Sequence, residues 1–394
     1  MRVLVLGEYA GVPGGLATQG ALLFKGLRHL VGAEAQMVHL ESGLEKEWYY
    51  RWFKPEVVVG VGYWGYVPYL VLHPQRHGVQ PVPWLVANGY IANYRDVLND
   101  LPLILVTSNW VREVYIRDGI RPDIIDVLPV GCDTDAFVPR DLSDPKVAVV
   151  RQALGIAPDE IMILTVGGDA ASKGAQEVMQ ALALINGKHP HWRYVCKVWP
   201  QPRTESQNVE DLEVAANLGI RNNVVYVMDK VSRDFMPYLL AACDIYAGPS
   251  RLEGFGMPQV EAGACGKPVI AIKAMGLLDT IVHGETGFLA RVALENHVSE
   301  AVLGAEDGYE PGHRVVFDPP RIADYRANVT DIAEYLLQLI ESPELRRRMG
   351  AAARKRVIEL FDYRVVARQF LDIVSRRPPG VRVAPQPEQY SLVK

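Results

Sequence analysis

The sequence has little cysteine, no long apolar run and no strong excess of charge of one sign. Its four cysteines are scattered without a C-x-x-C spacing, which argues against a disulfide framework and favours reduced thiols in a reducing compartment. No stretch reaches the ~18 apolar residues that a membrane-spanning helix needs, and the apolar run after Met1 is too short for a secretory signal. A net charge of −5 gives no reason to expect nucleic acid as a partner. A soluble cytoplasmic protein is predicted.

Strand and helix patterns alternate along the first third of the 394 residues. The opening strand is followed by a glycine-containing loop and a helix over about 16–30, which is how a doubly wound nucleotide-binding sheet begins. The predicted strands are continuous apolar runs, as parallel strands covered on both faces require. They lie at 2–6, 35–40, 56–61, 83–87, 103–107 and 124–129. These elements predict an N-terminal Rossmann-like domain over 1–140.

A second series of the same kind follows an irregular linker. Its strands are predicted at 161–166, 192–198, 223–228, 244–248 and 268–273, and its helices at 175–185, 210–218, 234–242 and 258–265. The segment 291–325 is polar and irregular, with one short strand at 315–317, before helices at 329–340, 343–359 and 364–375. We expect a second domain over 145–360, a helix over 361–376 that packs back on the first domain, and an extended or disordered tail over 377–394.

The most informative stretch joins the predicted strand at 244–248 to the next helix. It turns through two glycines and enters the helix at Pro258, which suits a first helical position. The amides of Gly256 and Met257 would then point out of a helix start, where phosphate binds readily. Glu253 and Glu261 flank this site and would repel phosphate, so hydrogen bonding to sugar hydroxyls is the alternative role. An ordinary capped helix with nearby carboxylates is the simpler interpretation.

The surrounding motifs resemble those of a known family. A strand ending in Pro249-Ser250, the sequence Glu253-Gly254-Phe255-Gly256 and a second glutamate at Glu261 match the C-terminal signature of retaining glycosyltransferases of the GT-B fold, in particular glycosyltransferase family four (glycosyl transferases group 1). Supporting resemblances lie at Pro13-Gly14-Gly15, 108–111, 130–137, 166–168 with Lys173-Gly174, 267–271, 283–289 and 343–352. The resemblance implies an α/β fold of two doubly wound domains facing across a cleft, with the acceptor on the first domain and the donor nucleotide on the second.

The resemblance also assigns roles to individual residues. Lys173 would neutralise the donor phosphates, Glu261 would bind the ribose hydroxyls, and Glu253 would contact the donor sugar or support charge on its anomeric carbon. The predicted catalytic residues are Glu253, Lys173 and Asn88. The predicted donor-binding residues are Gly14, Gly15, Gly167, Gly168, Lys173, Val231, Ser250, Glu253, Gly254, Phe255, Gly256, Met257 and Glu261. No metal ligand and no cofactor is predicted.

Three positions depart from the family pattern. Gly168 stands where the family usually has an arginine on the donor phosphates, and Lys197 or Arg203 is a candidate replacement. Asn88 stands where a histidine often contacts the sugar, and an amide can hydrogen-bond but cannot transfer a proton. Asp279 stands where the family more often has glutamate. These departures leave open a degenerate protein that binds sugar nucleotide and acts as a regulator or partner subunit.

Three further signals are weaker, and one further function lacks support. The sequence Asp133-Thr134-Asp135 has the form of a metal-binding D-x-D motif, which this architecture does not use. His73 and His77 have the spacing of zinc ligands on a helix, but the sequence offers no third ligand in a fitting context. Aromatic residues near 48–52 and 64–66 fit either an acceptor sugar site or a core. An epimerase of the same fold that acts on sugar nucleotides is a further alternative. It lacks support, because the sequence shows no added cluster of acid/base histidines.

The sequence therefore predicts a hexosyltransferase. It would move a hexose from a nucleoside-diphosphate sugar to the hydroxyl of a glycan, lipid-linked or small-molecule acceptor, with retention and without a metal. No side chain is an obvious covalent nucleophile, which favours attack on the same face as the leaving group. Peripheral contact with the inner membrane face and the oligomeric state are left open.

Overall fold

The computed structural model describes residues 1–9, 14–87, 89–199 and 202–376, without the side chains of 202–206. The predicted tail over 377–394 and Asn88, Pro13 and the Arg203 side chain lie outside this description. The chain divides into two compact units. Unit 1 comprises Met1–Gly131, Val298–Arg321 and the segment from Tyr363 onward, and unit 2 comprises Cys132–His297 and Ile322–Asp362.

The sheet of unit 1 has six parallel strands in the order β2-β1-β3-β4-β5-β6. Its strands are β1 (Arg2–Gly7), β2 (Glu34–His39), β3 (Val57–Gly62), β4 (Pro81–Leu85), β5 (Ile104–Val106) and β6 (Ile125–Val127). The helices along this part of the chain are α1 (Gly15–Arg28), α2 (Gly43–Trp52), α3 (His73–Arg76), α4 (Arg95–Asn99) and α5 (Asn109–Arg117). Strand β2 is added on one side of β1 and β3 on the other, so the topological switch point of this sheet lies between β1 and β3.

Unit 2 contains a second parallel sheet of six strands in the order β12-β11-β10-β7-β8-β9. Its strands are β7 (Ile161–Val166), β8 (Trp192–Lys197), β9 (Val224–Val227), β10 (Ile245–Ala247), β11 (Val269–Ile272) and β12 (Gly287–Ala290). Its helices are α6 (Pro145–Ala153), α7 (Ala175–Ile185), α8 (Pro202–Asn217), α9 (Met236–Ala242), α10 (Met257–Ala264), α11 (Leu277–Thr280), α12 (Val329–Glu341) and α13 (Pro343–Leu360). The predicted class of two doubly wound α/β domains is confirmed.

Short helical turns complete the backbone. A π-helical turn (Pro68–Leu72) leads into α3. Tight 3-10 turns occur at Trp64–Tyr66, Pro122–Ile124, Ala171–Lys173, Arg221–Asn223 and Ala305–Asp307. Among the described residues, no helix combines the length and the apolar character needed to cross a bilayer. All four cysteines are buried and unpaired.

Apolar side chains bury the strands on both faces. Every residue of β3 is buried, and Trp84 in β4 is wholly buried, with its indole Nε1 donating to the Leu128 carbonyl at 2.9 Å. Such continuous burial is expected of parallel strands covered by helices on both sides. This continuous burial explains why apolar runs in the sequence predicted the positions of most strands to within a few residues. The exception among the helices is α8, which begins eight residues before the predicted start at 210.

The prediction for 291–325 is wrong, because this segment belongs to a long β-hairpin. Strands β13 (Val292–Leu303) and β14 (His313–Ala327) form a separate two-stranded sheet. Most side chains of β13 are exposed or half-buried. A ribbon that is largely exposed on both faces lacks the alternation of apolar and polar residues by which a strand is recognised in sequence.

The outer part of this hairpin packs within unit 1. Leu303 is buried in the unit 1 core, and the rings of Phe317 and Tyr90 lie 4.7 Å apart. The Tyr63 hydroxyl lies 3.3 Å from Asp307 Oδ1, and the Asn93 amide donates to the Asp307 carbonyl at 2.9 Å. Unit 1 thus includes 298–321, which the predicted boundary had placed in the second domain.

A last helix, α14 (Tyr363–Arg376), packs against α1 within unit 1. The two helices approach closely at Gly26, where a Cβ atom would lie 2.4 Å from the Tyr363 carbonyl oxygen and 2.7 Å from the Ala367 Cβ. A side chain at position 26 would therefore separate the helices. The segment 132–140, predicted as the end of the first domain, belongs to unit 2.

Candidate functional site

The turns after β7 and β10 lie side by side at the topological switch point of unit 2. The chain runs outward from β7 through β8 to β9 and then returns to build β10, β11 and β12 on the other side. Ligands of doubly wound sheets bind at the carboxyl ends of strands where this reversal occurs. The turn after β7 carries Lys173, and the turn after β10 carries Glu253.

Two glycines allow Lys173 to reach this position. A Cβ atom at Gly167 would lie 2.5 Å from Cγ of Lys173, so only glycine leaves room for the lysine stem. Gly174 has φ +80°, and a Cβ atom there would lie 2.4 Å from the Pro249 carbonyl oxygen. The two turns therefore come into close backbone contact. Their contact is held by the Arg251 amide, which donates to the Ser172 carbonyl at 2.9 Å.

Lys173 and Glu253 form an ion pair at 2.7 Å between Nζ and Oε2. Both side chains are mostly buried, with 19% and 14% of their surface exposed. Glu253 also accepts from the Ser250 hydroxyl at 3.4 Å and from the Gly256 amide at 3.1 Å. Each carboxylate oxygen of Glu253 is therefore engaged, which fixes its orientation and balances its charge against the lysine.

The helix start differs from its prediction in two details. Helix α10 begins at Met257, one residue before Pro258, and is preceded by Gly256 in the left-handed conformation at φ +94°. The Gly256 amide donates to Glu253, so it is not one of the free amides that were predicted to face an anion. The first turn still leaves amides at Met257 and Gln259 without intrahelical acceptors. The Phe255 ring is buried, and its centroid lies 5.5 Å from the centroid of the Phe361 ring. Phe255 therefore faces the core rather than the turn.

Glu261 is buried and paired with an arginine that the sequence analysis did not single out. Its Oε1 accepts from Nη2 of Arg233, and only 5% of its side chain is exposed. The Arg233 guanidinium lies over the Phe137 ring at 4.7 Å. Desolvation works to lower the pKa of Arg233, but the charge and hydrogen bond of Glu261 raise that pKa above its ordinary value. The position of Arg233 two residues after Val231, a predicted donor-binding residue, was the available signal in the sequence.

Ser250 and Gln259 form a buried polar link beneath this turn. The Gln259 amide donates to the Gly248 carbonyl at 2.9 Å and to the Ser250 hydroxyl at 3.2 Å. The Ser250 hydroxyl in turn donates to Oε2 of Glu253 at 3.4 Å. Gln259 was not predicted from sequence, since a polar residue in a helix gives no sign that its side chain turns inward.

The remaining predicted residues of unit 2 surround this turn without entering its hydrogen bonds. Val231 is half-buried in the loop between β9 and α9. A Cβ atom at Gly168 would meet the Trp199 ring at 3.7 Å, which is ordinary contact distance. Lys197, a candidate replacement for the missing arginine, is buried and donates to the Val198 carbonyl at 2.7 Å. Burial lowers the pKa of Lys197, and Asp229 opposes that shift.

The predicted residues of unit 1 lie after β1 and after β4. Gly14 precedes α1, where its carbonyl accepts from the Thr18 amide at 3.1 Å and the Thr18 hydroxyl at 2.9 Å, and Gly15 is the first residue of the helix. Asn88 lies outside the described residues. Asp133 of the D-x-D sequence belongs to unit 2 and accepts from the amides of Asp135 and Ala136, so its carboxylate closes a local turn.

Comparison with known proteins gives one family match. Residues 147–316 match the family model described as Glycosyl transferases group 1. The chain is 26% identical over 292 residues to MMP alpha-(1->4)-mannosyltransferase of Mycolicibacterium hassiacum, covering 73% of this chain and 57% of that protein. It is 29% identical over 279 residues to D-inositol 3-phosphate glycosyltransferase of Acidothermus cellulolyticus, covering 66% of this chain and 60% of that protein. The chain thus spans little more than half the length of these relatives.

Solved structures show the same fold. Anabaena HepE in complex with UDP and glucose has a TM-score of 0.71 at 18% identity, over 95% of this chain and 99% of that chain. Sucrose-phosphate synthase from Thermosynechococcus elongatus has a TM-score of 0.70 at 19% identity, over 95% and 98% of the two chains. These similarities establish the GT-B fold.

Proposed function

Because residues 147–316 match the group 1 glycosyl transferase model and the chain has the GT-B fold, we propose that it transfers a hexose from a nucleoside-diphosphate sugar to an acceptor hydroxyl, with retention of configuration. The observation that carries this proposal is the ion pair between Lys173 and Glu253 at the switch point of unit 2. A half-buried cation there suits the phosphates of a nucleotide, and the amides of the α10 first turn add positive potential. The complexes of HepE with UDP and UDP-glucose add support from a protein of the same fold.

Lys173 would act on the leaving group. Negative charge grows on the diphosphate as the bond to the anomeric carbon breaks, and a fixed ammonium stabilises that charge more than it stabilises the ground state. Glu253 would hold Lys173 in place and contact the sugar. Since both oxygens of Glu253 accept hydrogen bonds, this carboxylate is a poor candidate for a covalent nucleophile. Attack by the acceptor on the face that the diphosphate leaves accounts for retention without such a nucleophile.

Glu261 would bind the ribose hydroxyls through the carboxylate oxygen that Arg233 does not occupy. Arg233 pairs with Oε1 and fixes the orientation of this buried carboxylate. The nucleoside would then rest near Val231, in the loop between β9 and α9. The N-terminal turns of unit 1, which carry Gly14 and Gly15, would contribute to the donor sugar site, and the acceptor would bind to unit 1.

The donor class is tested by ligand-dependent melting and by turnover. We expect UDP, GDP or ADP to raise the melting temperature of the chain, since a ligand that binds only the folded state stabilises it. The matching hexose derivative should release its nucleoside diphosphate to water or to methanol as a surrogate acceptor. An α-linked donor should give an α-methyl glycoside, measured by the anomeric coupling in proton NMR.

The matched variants are Lys173→Ala and Lys188→Ala. Lys188 is an exposed lysine of the same unit. Loss of Lys173 should lower turnover by about 10²- to 10³-fold, as removal of one transition-state stabilising group does in other enzymes. Lys188→Ala should leave turnover unchanged. Full turnover by Lys173→Ala with its true donor would exclude this phosphate site.

The alternative is a protein that binds sugar nucleotide without transferring the sugar. The observation that favours it is Gly168 in place of the family arginine, with Asn88 in place of the histidine. Calorimetric binding of a nucleoside diphosphate with no detectable hydrolysis or transfer of any donor tested would favour this regulator or partner-subunit role. Measurable hydrolysis would exclude it.

The reaction as proposed uses no metal and no cofactor. Chelation by EDTA should then leave turnover unchanged. The four buried, unpaired cysteines support a reducing, cytoplasmic location. A glycan, a lipid-linked sugar and a small metabolite stay open as acceptors, and a lipid-linked acceptor would bring the protein to the inner membrane face.

A further inference from the structure

Helices α2 and α3 bring together three metal-ligating side chains within unit 1. Glu47 lies on α2, His73 is the first residue of α3, and His77 follows its end. One ligand atom from each side chain lies within 4.8 Å of the other two. Oε1 of Glu47 and Nε2 of His77 are 3.8 Å apart, and the centroids of the two histidine rings are 4.9 Å apart. The third ligand that the sequence did not offer thus comes from a helix 26 residues earlier in the chain.

Two polar atoms in this cluster are buried without a partner. Among the described residues, His73 Nδ1 and the Tyr50 hydroxyl have no hydrogen bond, although His73 is only 9% exposed and Tyr50 only 7%. The Tyr50 ring lies 5.9 Å from the His73 ring and 5.4 Å from the His77 ring. Buried polar atoms are nearly always satisfied, and an ion or a water is the usual partner when the protein supplies none.

We propose that Glu47, His73 and His77 bind one divalent cation of the zinc class, which joins α2 to α3 in unit 1. Two imidazoles and one carboxylate are a donor set that zinc prefers over magnesium or calcium. Bonds of ~2.0–2.2 Å place tetrahedral ligand atoms roughly 3.3 Å apart, so the three side chains need to close by about an ångström. Glu47 and His77 are the partly exposed members and can make that adjustment, while His73 is held by burial. Water would take the fourth position.

Three cations oppose a metal ion here, namely Arg76, Arg51 and Lys46. Nη2 of Arg51 lies 3.8 Å from Oε2 of Glu47. The Lys46 ammonium is buried in the same region and donates to the Leu40 carbonyl at 2.6 Å and to the Tyr69 carbonyl at 3.4 Å. Those carbonyls bind the lysine to the backbone, so it does not compete with the metal ion for the Glu47 carboxylate. Its charge nevertheless repels a metal ion and lowers the affinity of the site for zinc.

The test is calorimetric titration of zinc into the untagged full-length chain after treatment with a chelator. Variants Glu47→Gln and His77→Gln each remove one partly exposed ligand and should preserve the fold. The matched control is His189→Gln, which removes the histidine of an exposed pair with Glu341 at 3.0 Å. That pair has no third ligand close by among the described residues.

We expect one equivalent of zinc for the wild type and for His189→Gln, and a loss of affinity of at least tenfold for each of the two ligand variants. A cobalt-substituted sample should show the visible absorption of a four-coordinate site that both ligand variants lose. The proposal is overturned if the wild type binds no zinc, if either ligand variant binds as tightly as the wild type, or if His189→Gln loses the same equivalent. The melting transition of unit 1 in the absence of zinc serves as the check that each ligand variant is folded, because Glu47 and His77 lie in unit 1.

Discussion

Gly168 departs from the sequence pattern of the family that the chain resembles, and its surroundings allow a test. A Cβ atom there would contact the Trp199 ring at 3.7 and 3.9 Å, and its backbone is in a conformation open to other residues. We expect Gly168→Arg to fold and to tighten nucleoside diphosphate binding about tenfold, or about 1.4 kcal/mol, because it adds a charged hydrogen-bond donor near the phosphates. Calorimetry measures the change.

Gly187→Arg is the control for that substitution. Gly187 is exposed in the same unit, with no heavy atom within 4 Å of its Cβ position. Gly187→Arg adds the same charge away from the turn and should leave the affinity for nucleoside diphosphate unchanged. Equal affinity for the wild type and Gly168→Arg would show that the position does not face the phosphates.

Asp331 provides a pH-dependent contribution to stability. Its carboxylate accepts from the Arg291 backbone amide at 2.8 Å and from the Arg291 guanidinium at 2.7 and 2.9 Å. The hydrogen bond from Arg291 is the main cause that lowers the pKa of Asp331 in the folded state. A carboxyl with a lowered folded pKa stabilises the fold above its unfolded pKa of about 3.9, and that contribution is lost as the pH falls through the folded pKa.

We therefore expect Asp331→Asn to be less stable than the wild type at pH 7 and the difference to shrink below about pH 4. Urea unfolding between pH 2.5 and 7 measures it. Asp159→Asn removes a charge at an exposed position of the same unit and should show no such convergence. A difference that stays constant over this range would contradict a role for the ionised carboxylate.

Among the elements, the hairpin of β13 and β14 is joined to unit 1 by a buried ion pair. Arg321 in β14 donates from Nε to Asp118 Oδ1 at 3.0 Å, and the side chain of Asp118 is 1% exposed. Asp118 also accepts from Arg117 at 2.8 Å and from the Ile91 amide at 2.8 Å. This buried network ties the hairpin to the segment that follows β4.

Removal of Arg321 should destabilise unit 1. Arg321→Met leaves Asp118 with one charged partner instead of two, and a buried charge that loses a partner costs about 2–4 kcal/mol. Arg314→Met on the same hairpin breaks an exposed pair with Glu300 and should cost less than about 0.5 kcal/mol. Urea unfolding followed by tryptophan fluorescence compares them. Equal losses from the two variants would show that the network contributes no more than a surface ion pair.

The elements that sequence analysis located correctly share one physical property. Strands β1, β3 and β7 are buried runs bounded by turns, so their local composition reflects their environment. The hairpin was missed because its stability comes from contacts made far along the chain, such as Phe317 with Tyr90, and not from an apolar face of its own. Local patterns do not record such contacts.

For the whole molecule, two units with separate sheets and cores predict two thermal transitions. A nucleoside diphosphate that binds in unit 2 should increase the free energy of unfolding of that unit by about 2.7 kcal/mol at a ligand concentration 100 times the dissociation constant. The melting temperature of the unit 2 transition should rise as a result. Zinc should raise the transition of unit 1. Differential scanning calorimetry measures both, and Arg321→Met identifies the unit 1 transition by lowering it. A single transition that shifts equally with either ligand would contradict this assignment.

The sequence by itself determined the alternation of strands and helices, the two doubly wound domains and the turns that carry Lys173 and Glu253. Short-range rules suffice there, because apolar runs, glycines and a proline at a helix start act within a few residues. Only the tertiary structure decided which side chains meet. It pairs Lys173 with Glu253 across 80 residues, and Arg233 with Glu261 across 28. It also brings Glu47 to His73 and His77. These contacts depend on strand order and helix packing, which place residues distant in sequence at one edge of a sheet.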